Sequence, residues 1–183
     1  KIGTIADLIR YRMANEKTLS RVAQCEFPTQ WGMFSLFAYE EAHTNNVHFA
    51  LTMGQIEGEK TCLVRVHLQD SLGDVIGLSR DDITWPLHRA MERVAGEGNG
   101  VIVILRPGED SHDLIQRIKD VALLSEGAAL AKPLPNKELR TYGVGAQIIA
   151  DLGVKRMRVL GTPKRLMCLA GFDLEITEYL EFM

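Results

Sequence analysis

The sequence predicts an α+β fold, a mixed α/β domain, and three observations carry that prediction. From Leu19 to Leu68 the chain falls into short β-rich runs separated by polar or glycine turns. From Thr84 onward, helical and strand patterns alternate. No repeat, low-complexity stretch or internal linker divides the two halves.

Taken in order, Thr4–Arg12 reads as a helix: Thr4 can cap it, Asp7 favours its first turn, and Ile5, Leu8 and Ile9 share a face. After Asn15-Glu16-Lys17 come the expected strands Leu19–Phe27, Phe34–Tyr39, Val47–Met53 and Thr61–Leu68, read as mainly antiparallel. Trp85–Ala95 is expected as a helix, with Pro86 near its start and Gly96 near its end. Val101–Leu105 is a continuous apolar strand of the kind buried on both faces. Asp113–Leu124 is a helix with Leu114, Ile118 and Val121 on one side. A loop holding Pro133 and Pro135 leads to a helix over Val144–Leu152. The strand Met157–Leu160, a short helix near Lys164–Leu169 and the strand Leu174–Tyr179 complete the chain.

A length of 183 residues suits one domain able to bury a core without disulfide or metal staples. The apolar share of 46% and charged share of 25% are those of an ordinary globular protein. A net charge of -3 argues against broad binding to nucleic acid. No apolar run reaches the length of a membrane span and no signal peptide opens the chain, so a cytoplasmic location is expected, with neither membrane nor nucleic acid as partner. Cys25, Cys62 and Cys168 are far apart, odd in number and form no Cys-x-x-Cys pair, which favours three reduced thiols. The first residue is Lys1, as expected for a piece of a longer polypeptide.

Two segments are distinctive. One is Val64-Arg65-Val66-His67, followed by Gly73-Asp74 and Arg80-Asp81-Asp82. The other is Leu139-Arg140-Thr141-Tyr142-Gly143-Val144-Gly145-Ala146-Gln147-Ile148, ahead of Leu152-Gly153-Val154. Both resemble the GTP cyclohydrolase II family, in order and spacing from about Phe27 to the C-terminus. The opening Lys1–Ile9 resembles the junction that follows the dihydroxybutanone phosphate synthase domain in fused proteins of riboflavin biosynthesis. The resemblance implies a linker and helix at residues 1–16, after an upstream synthase domain, and a cyclohydrolase II-like domain at residues 17–183. It also implies a homodimer, and a reaction that opens the imidazole ring of GTP with release of formate and pyrophosphate. Zinc would activate the water and magnesium would manage the phosphates.

The chain departs from that pattern where the chemistry is hardest to replace. The family's zinc cysteines, Cys-x10-Cys-x-Cys, correspond to Asp70, Asp81 and Ile83. Ile83 offers no donor atom, and carboxylates do not match the softness of thiolates, so no catalytic zinc is expected. Asp110 stands where a phosphate-binding Arg is implied, in Pro107-Gly108-Glu109-Asp110-Ser111-His112-Asp113, and Pro86 replaces a nucleotide-contacting Gln. Each acidic residue near a triphosphate would repel it by roughly 1 kcal/mol or more.

Other positions survive. Arg140 corresponds to the catalytic nucleophile and Glu138 to the proton acceptor, although an ion pair or cap at a helix start explains them equally well. Arg65 and His67 match the start of the nucleotide contact, with Leu68 and Gln69 replacing its last two residues. Arg165, in the basic loop Gly161–Arg165, completes the candidate nucleotide-binding set Arg65, His67, Gln69 and Arg165. That loop is equally an ordinary solvated turn. The favoured reading is a domain that no longer opens GTP and serves as structural or regulatory partner of a fused synthase. The alternative is an active cyclohydrolase that uses Asp70 and Asp81 with a hard cation such as magnesium. A binding module outside the pathway is the third reading, since function resides in sites and not in folds.

Overall fold

Seven strands form one sheet in the order β1-β2-β3-β5-β4-β6-β7. They are β1 (Leu19–Thr29), β2 (Gly32–Glu41), β3 (Val47–Met53), β4 (Thr61–Leu68), β5 (Gly100–Leu105), β6 (Arg156–Leu160) and β7 (Glu175–Leu180). The computed structural model describes residues 18–78, 85–106, 108, 111–125, 135–163 and 172–182, with the backbone alone at 124–125 and 135–142. The helices expected over Thr4–Arg12 and near Lys164–Leu169 lie outside the described residues.

The pairing is antiparallel from β1 through β2 and β3 to β5, and parallel from β5 through β4 and β6 to β7. The expectation of a mainly antiparallel first half holds for β1–β3 and needs correction at β4, which lies between two parallel neighbours. Its composition agrees with that place: Cys62, Leu63 and Val64 are all buried, as suits a strand covered on both faces. The edge strand β1 is exposed along most of its length and carries a bulge at Val22, between the pairs Arg21–Tyr39 and Ala23–Ala38.

Helices cover both faces. Helix α1 (Leu87–Glu97) buries Ala90, Met91 and Val94 against Phe34, Leu51, Leu63, Ile102 and Leu160. It runs through Gly96, the stop expected from the sequence, and ends at Gly98, whose φ of 72° is the left-handed conformation glycine adopts without strain. On the opposite face α3 (Pro135–Asp151) packs Val144, Ala146, Ile148 and Ile149 on Ala50, Val64, Val101, Val103 and Leu105. It starts nine residues before the expected Val144 (144 − 135 = 9), at a proline in the first helical position. Gly143 and Gly145 lie inside it; a Cβ on Gly145 would stand 3.3 Å from Val66. Close approach of helix to sheet explains the small residue there.

Helix α2 (Ser111–Ser125) differs from the other two: none of residues 111–123 is buried, and Ile115 and Ile118 are each 52% exposed.

Candidate functional site

The parallel strands β4 and β5 end side by side, where the Gln69 N–H donates to Leu105 O at 2.9 Å. The carboxyl ends of parallel strands are where sheets of this kind bind ligands. A polar cavity of about 420 Å³ opens here, lined by Asn45, Asn46, Gln69, Ser71, Arg106 and Gly108, with Val47 beside them. Asn45, at φ 55°, turns the β2–β3 connection so that both asparagines reach the rim.

Among the described residues lining this cavity, Arg106 is the cation. Its Nε donates to Gln69 Oε1 at 2.8 Å and its guanidinium lies 5.1 Å from the centre of the Phe49 ring. Its backbone N–H donates to His48 Nδ1 at 3.0 Å. His48 must therefore carry its proton on Nε2, which stands 4.0 Å from Glu41 Oε2 without a hydrogen-bond partner. Burial pulls the His48 pKa below its ordinary value; Glu41 opposes this and Arg106 adds to it, so the ring is neutral near pH 7.

A second group begins on β4. His67 is buried and its Nε2 lies 2.9 Å from both oxygens of Asp74, which also accepts the Asp70 backbone N–H at 2.9 Å. Burial lowers the His67 pKa, more than the Asp74 hydrogen bond and charge raise it. Asp70 opens the π-helical turn Ser71–Val75. Its Oδ1 accepts the N–H groups of Leu72 at 2.9 Å and Gly73 at 3.1 Å, and takes the Arg117 guanidinium at 2.5 Å. Burial works to raise the Asp70 pKa, but Arg117 and the two amides outweigh it and hold the carboxyl below its ordinary value.

Of the expected nucleotide-binding residues, Gln69 reaches the cavity, and His67 lies two residues before it, in the Asp74 pair. Arg65 turns elsewhere: its two terminal nitrogens donate to Leu160 O at 2.8 Å and Trp85 O at 2.9 Å, joining β6 to the start of α1. Glu138 and Arg140 lie in the first turns of α3, in backbone only. Asp81, Ile83, Asp110 and Arg165 fall outside the described residues. Among the described residues, no three His, Cys, Asp or Glu side chains come together as a metal site.

Sequence reasoning missed Arg106, Arg117, Glu41 and His48. Arg106 immediately follows an apolar strand, a position that itself marks a strand's carboxyl end. The pairing of Arg117 with Asp70 spans 47 residues (117 − 70 = 47) and leaves no local signal.

Comparison with known proteins gives these features a family. A model described as GTP cyclohydrolase II matches residues 20–181. The protein named 3,4-dihydroxy-2-butanone 4-phosphate synthase from Pseudomonas aeruginosa is 39% identical over 180 residues, which cover 98% of this chain and 48% of that protein. The riboflavin biosynthesis protein RibBA of Aquifex aeolicus is 39% identical over 184 residues, covering 97% of this chain and 45% of that one. The crystal structure of RibBX, described as a two-domain 3,4-dihydroxy-2-butanone 4-phosphate synthase from A. baumannii, matches with a TM-score of 0.63 at 33% identity. That match covers 98% of this chain and 45% of the RibBX chain. The chain spans about half the length of these relatives. It belongs to the GTP cyclohydrolase II family of riboflavin biosynthesis.

Proposed function

We propose that this chain is a GTP cyclohydrolase II-family domain that has lost the ring-opening reaction and serves as structural or regulatory partner of a fused 3,4-dihydroxy-2-butanone 4-phosphate synthase domain. The observation that carries this reading is the environment of Asp70. Where the resemblance calls for a zinc-bound thiolate, a carboxylate caps a turn and pairs with Arg117. A metal would have to displace a guanidinium and two amide donors to use that oxygen, and thiolates, the softer donors zinc prefers, are absent from Asp70, Asp81 and Ile83. These residues do not fit zinc. The same pairing weighs against a magnesium site built on Asp70 and Asp81.

Relatives that carry the synthase name, and about twice the length of this chain, support a second domain beside it. In this reading residues 1–16 join that domain and residues 17–183 form the cyclohydrolase II-like unit. Arg65 and Glu138 are kept for packing and helix charge, Gln69 lines the remnant of a nucleotide pocket, and a nucleotide role for His67, Arg140 and Arg165 rests on the resemblance. A homodimer, in the cytoplasm, completes the reading.

Formate release from GTP, with zinc and magnesium supplied and an intact family member as control, tests it. No formate is expected. Turnover that disappears in Arg140→Ala would overturn the reading. The partner role is checked by synthase activity of the fusion with and without residues 17–183, where a change on removal is expected.

A further inference from the structure

We infer that α2 is held to the sheet by an electrostatic latch, Arg117 on Asp70, and that this latch sets the shape of the cavity at the strand ends. Three observations combine. First, residues 111–123 of α2 lack the apolar anchorage of the other helices: the half-covered ones are Leu114, Arg117, Asp120 and Val121, while Ile115 and Ile118 remain half exposed. Burial of that size gives little docking energy, because hydrophobic stabilisation follows the apolar area removed from water.

Second, Arg117 reaches Asp70 at 2.5 Å, and both side chains are largely shielded, with 33% and 24% of their surface exposed. A charge-assisted hydrogen bond so placed is stronger than a neutral one and less screened than a surface pair. Third, Asp70 is itself fixed from the sheet side. Its Oδ1 takes the Leu72 and Gly73 amides, and its N–H is taken by Asp74, which holds His67 of β4. A continuous polar chain thus runs from β4 through the turn to α2. Gln69 and Ser71, on either side of Asp70, both line the cavity, and Gly108 lines it three residues before α2 begins (111 − 108 = 3). Opening the latch frees α2 and loosens the Gln69–Ser71 wall, while the sheet keeps both of its cores.

Hydrogen exchange on the full chain tests this. Arg117→Gln leaves the Asp70 cap intact; amides of residues 111–125 are expected to exchange roughly tenfold faster, the size one charge-assisted hydrogen bond carries, with β3, β4 and β5 unchanged. Raising salt from about 0.1 M to about 1 M, which shortens the screening length to about 3 Å, is expected to speed the same amides in the unmodified chain and to have little effect in the variant. Arg117→Lys, which keeps the charge and loses the planar fork, is expected to fall between the two. Unchanged exchange in Arg117→Gln would overturn the latch. So would acceleration spread evenly over the sheet, which would mark Arg117 as a support of the whole fold. Acceleration of α2 in the unmodified chain on adding a chelator would assign the attachment to a metal instead.

Discussion

Two histidines are buried in neutral form, and their chemistry makes the protein sensitive to mild acid. His48 accepts a backbone N–H and His67 is paired with Asp74, yet burial lowers both pKa values. In the unfolded chain they bind protons around pH 6.5, before they do in the folded one. The unfolded state therefore holds more protons over that interval, and stability falls as pH drops below about 6.5. A denaturant titration at pH 7 and at pH 5.5 should show a lower midpoint at the acid value, and His48→Gln should flatten the difference. Asp70 adds a loss at stronger acid, since its lowered pKa makes its contribution present above the ordinary carboxylate pKa of about 3.9 and lost as pH falls through the folded value. A third residue, Tyr39, is 2% exposed and donates its hydroxyl to Asp151 at 2.8 Å, beside the Arg21–Asp151 pair at 2.6 Å. Tyr39→Phe should cost about 1 kcal/mol in the unfolding free energy, the usual net value of one hydrogen bond. At this scale the sequence named His67, Gln69 and Asp70 through a motif. Glu41 and His48 escaped because they sit at opposite ends of a β-turn connection, and burial of a carboxylate beside an imidazole is a property of the folded sheet.

At the scale of elements, strand positions were legible and their neighbours were not. Alternation and apolar runs give the limits of β3 and β4 as observed, whereas the parallel placement of β4 between β5 and β6 depends on chain crossovers that no local pattern encodes. Helix α3 begins nine residues before the start the sequence predicts; Gly143, which lowers helix propensity, stands just ahead of that expected start, and at Gly145 the lack of a side chain lets the helix approach Val66. Glycine acts similarly at β5. A Cβ on Gly100 would stand 2.9 Å from both Leu63 O and Val94 Cγ1, at the contact of α1 with the sheet. Gly100→Ala should therefore destabilise by about 1–3 kcal/mol, seen as a lower denaturant midpoint with an unchanged slope. Gly96→Ala meets open space in a helix, and should be neutral or stabilising by up to about 1 kcal/mol.

For the whole molecule, the sequence predicted a mixed α/β domain, and the seven-stranded sheet with helices on both faces agrees. Among the described residues no three His, Cys, Asp or Glu side chains converge, and the proposed loss of the zinc site has a thermal signature. A ligand held at a hundredfold above its Kd raises stability by about 2.7 kcal/mol. Zinc added in excess is expected to leave the unfolding temperature where it was; a clear rise in a thermal scan would count against the proposed loss of the zinc site. One further consequence concerns the open border of the sheet. At β1 the extra residue Val22 breaks the regular spacing of the free backbone groups, and Pro28 lacks an N–H. Both features oppose continuation of the sheet by another strand at this border, where Val22, Phe27 and Met33 are exposed. Deleting Val22 would straighten this border and offer it as a template, and concentration-dependent light scattering would reveal the chains joining end to end.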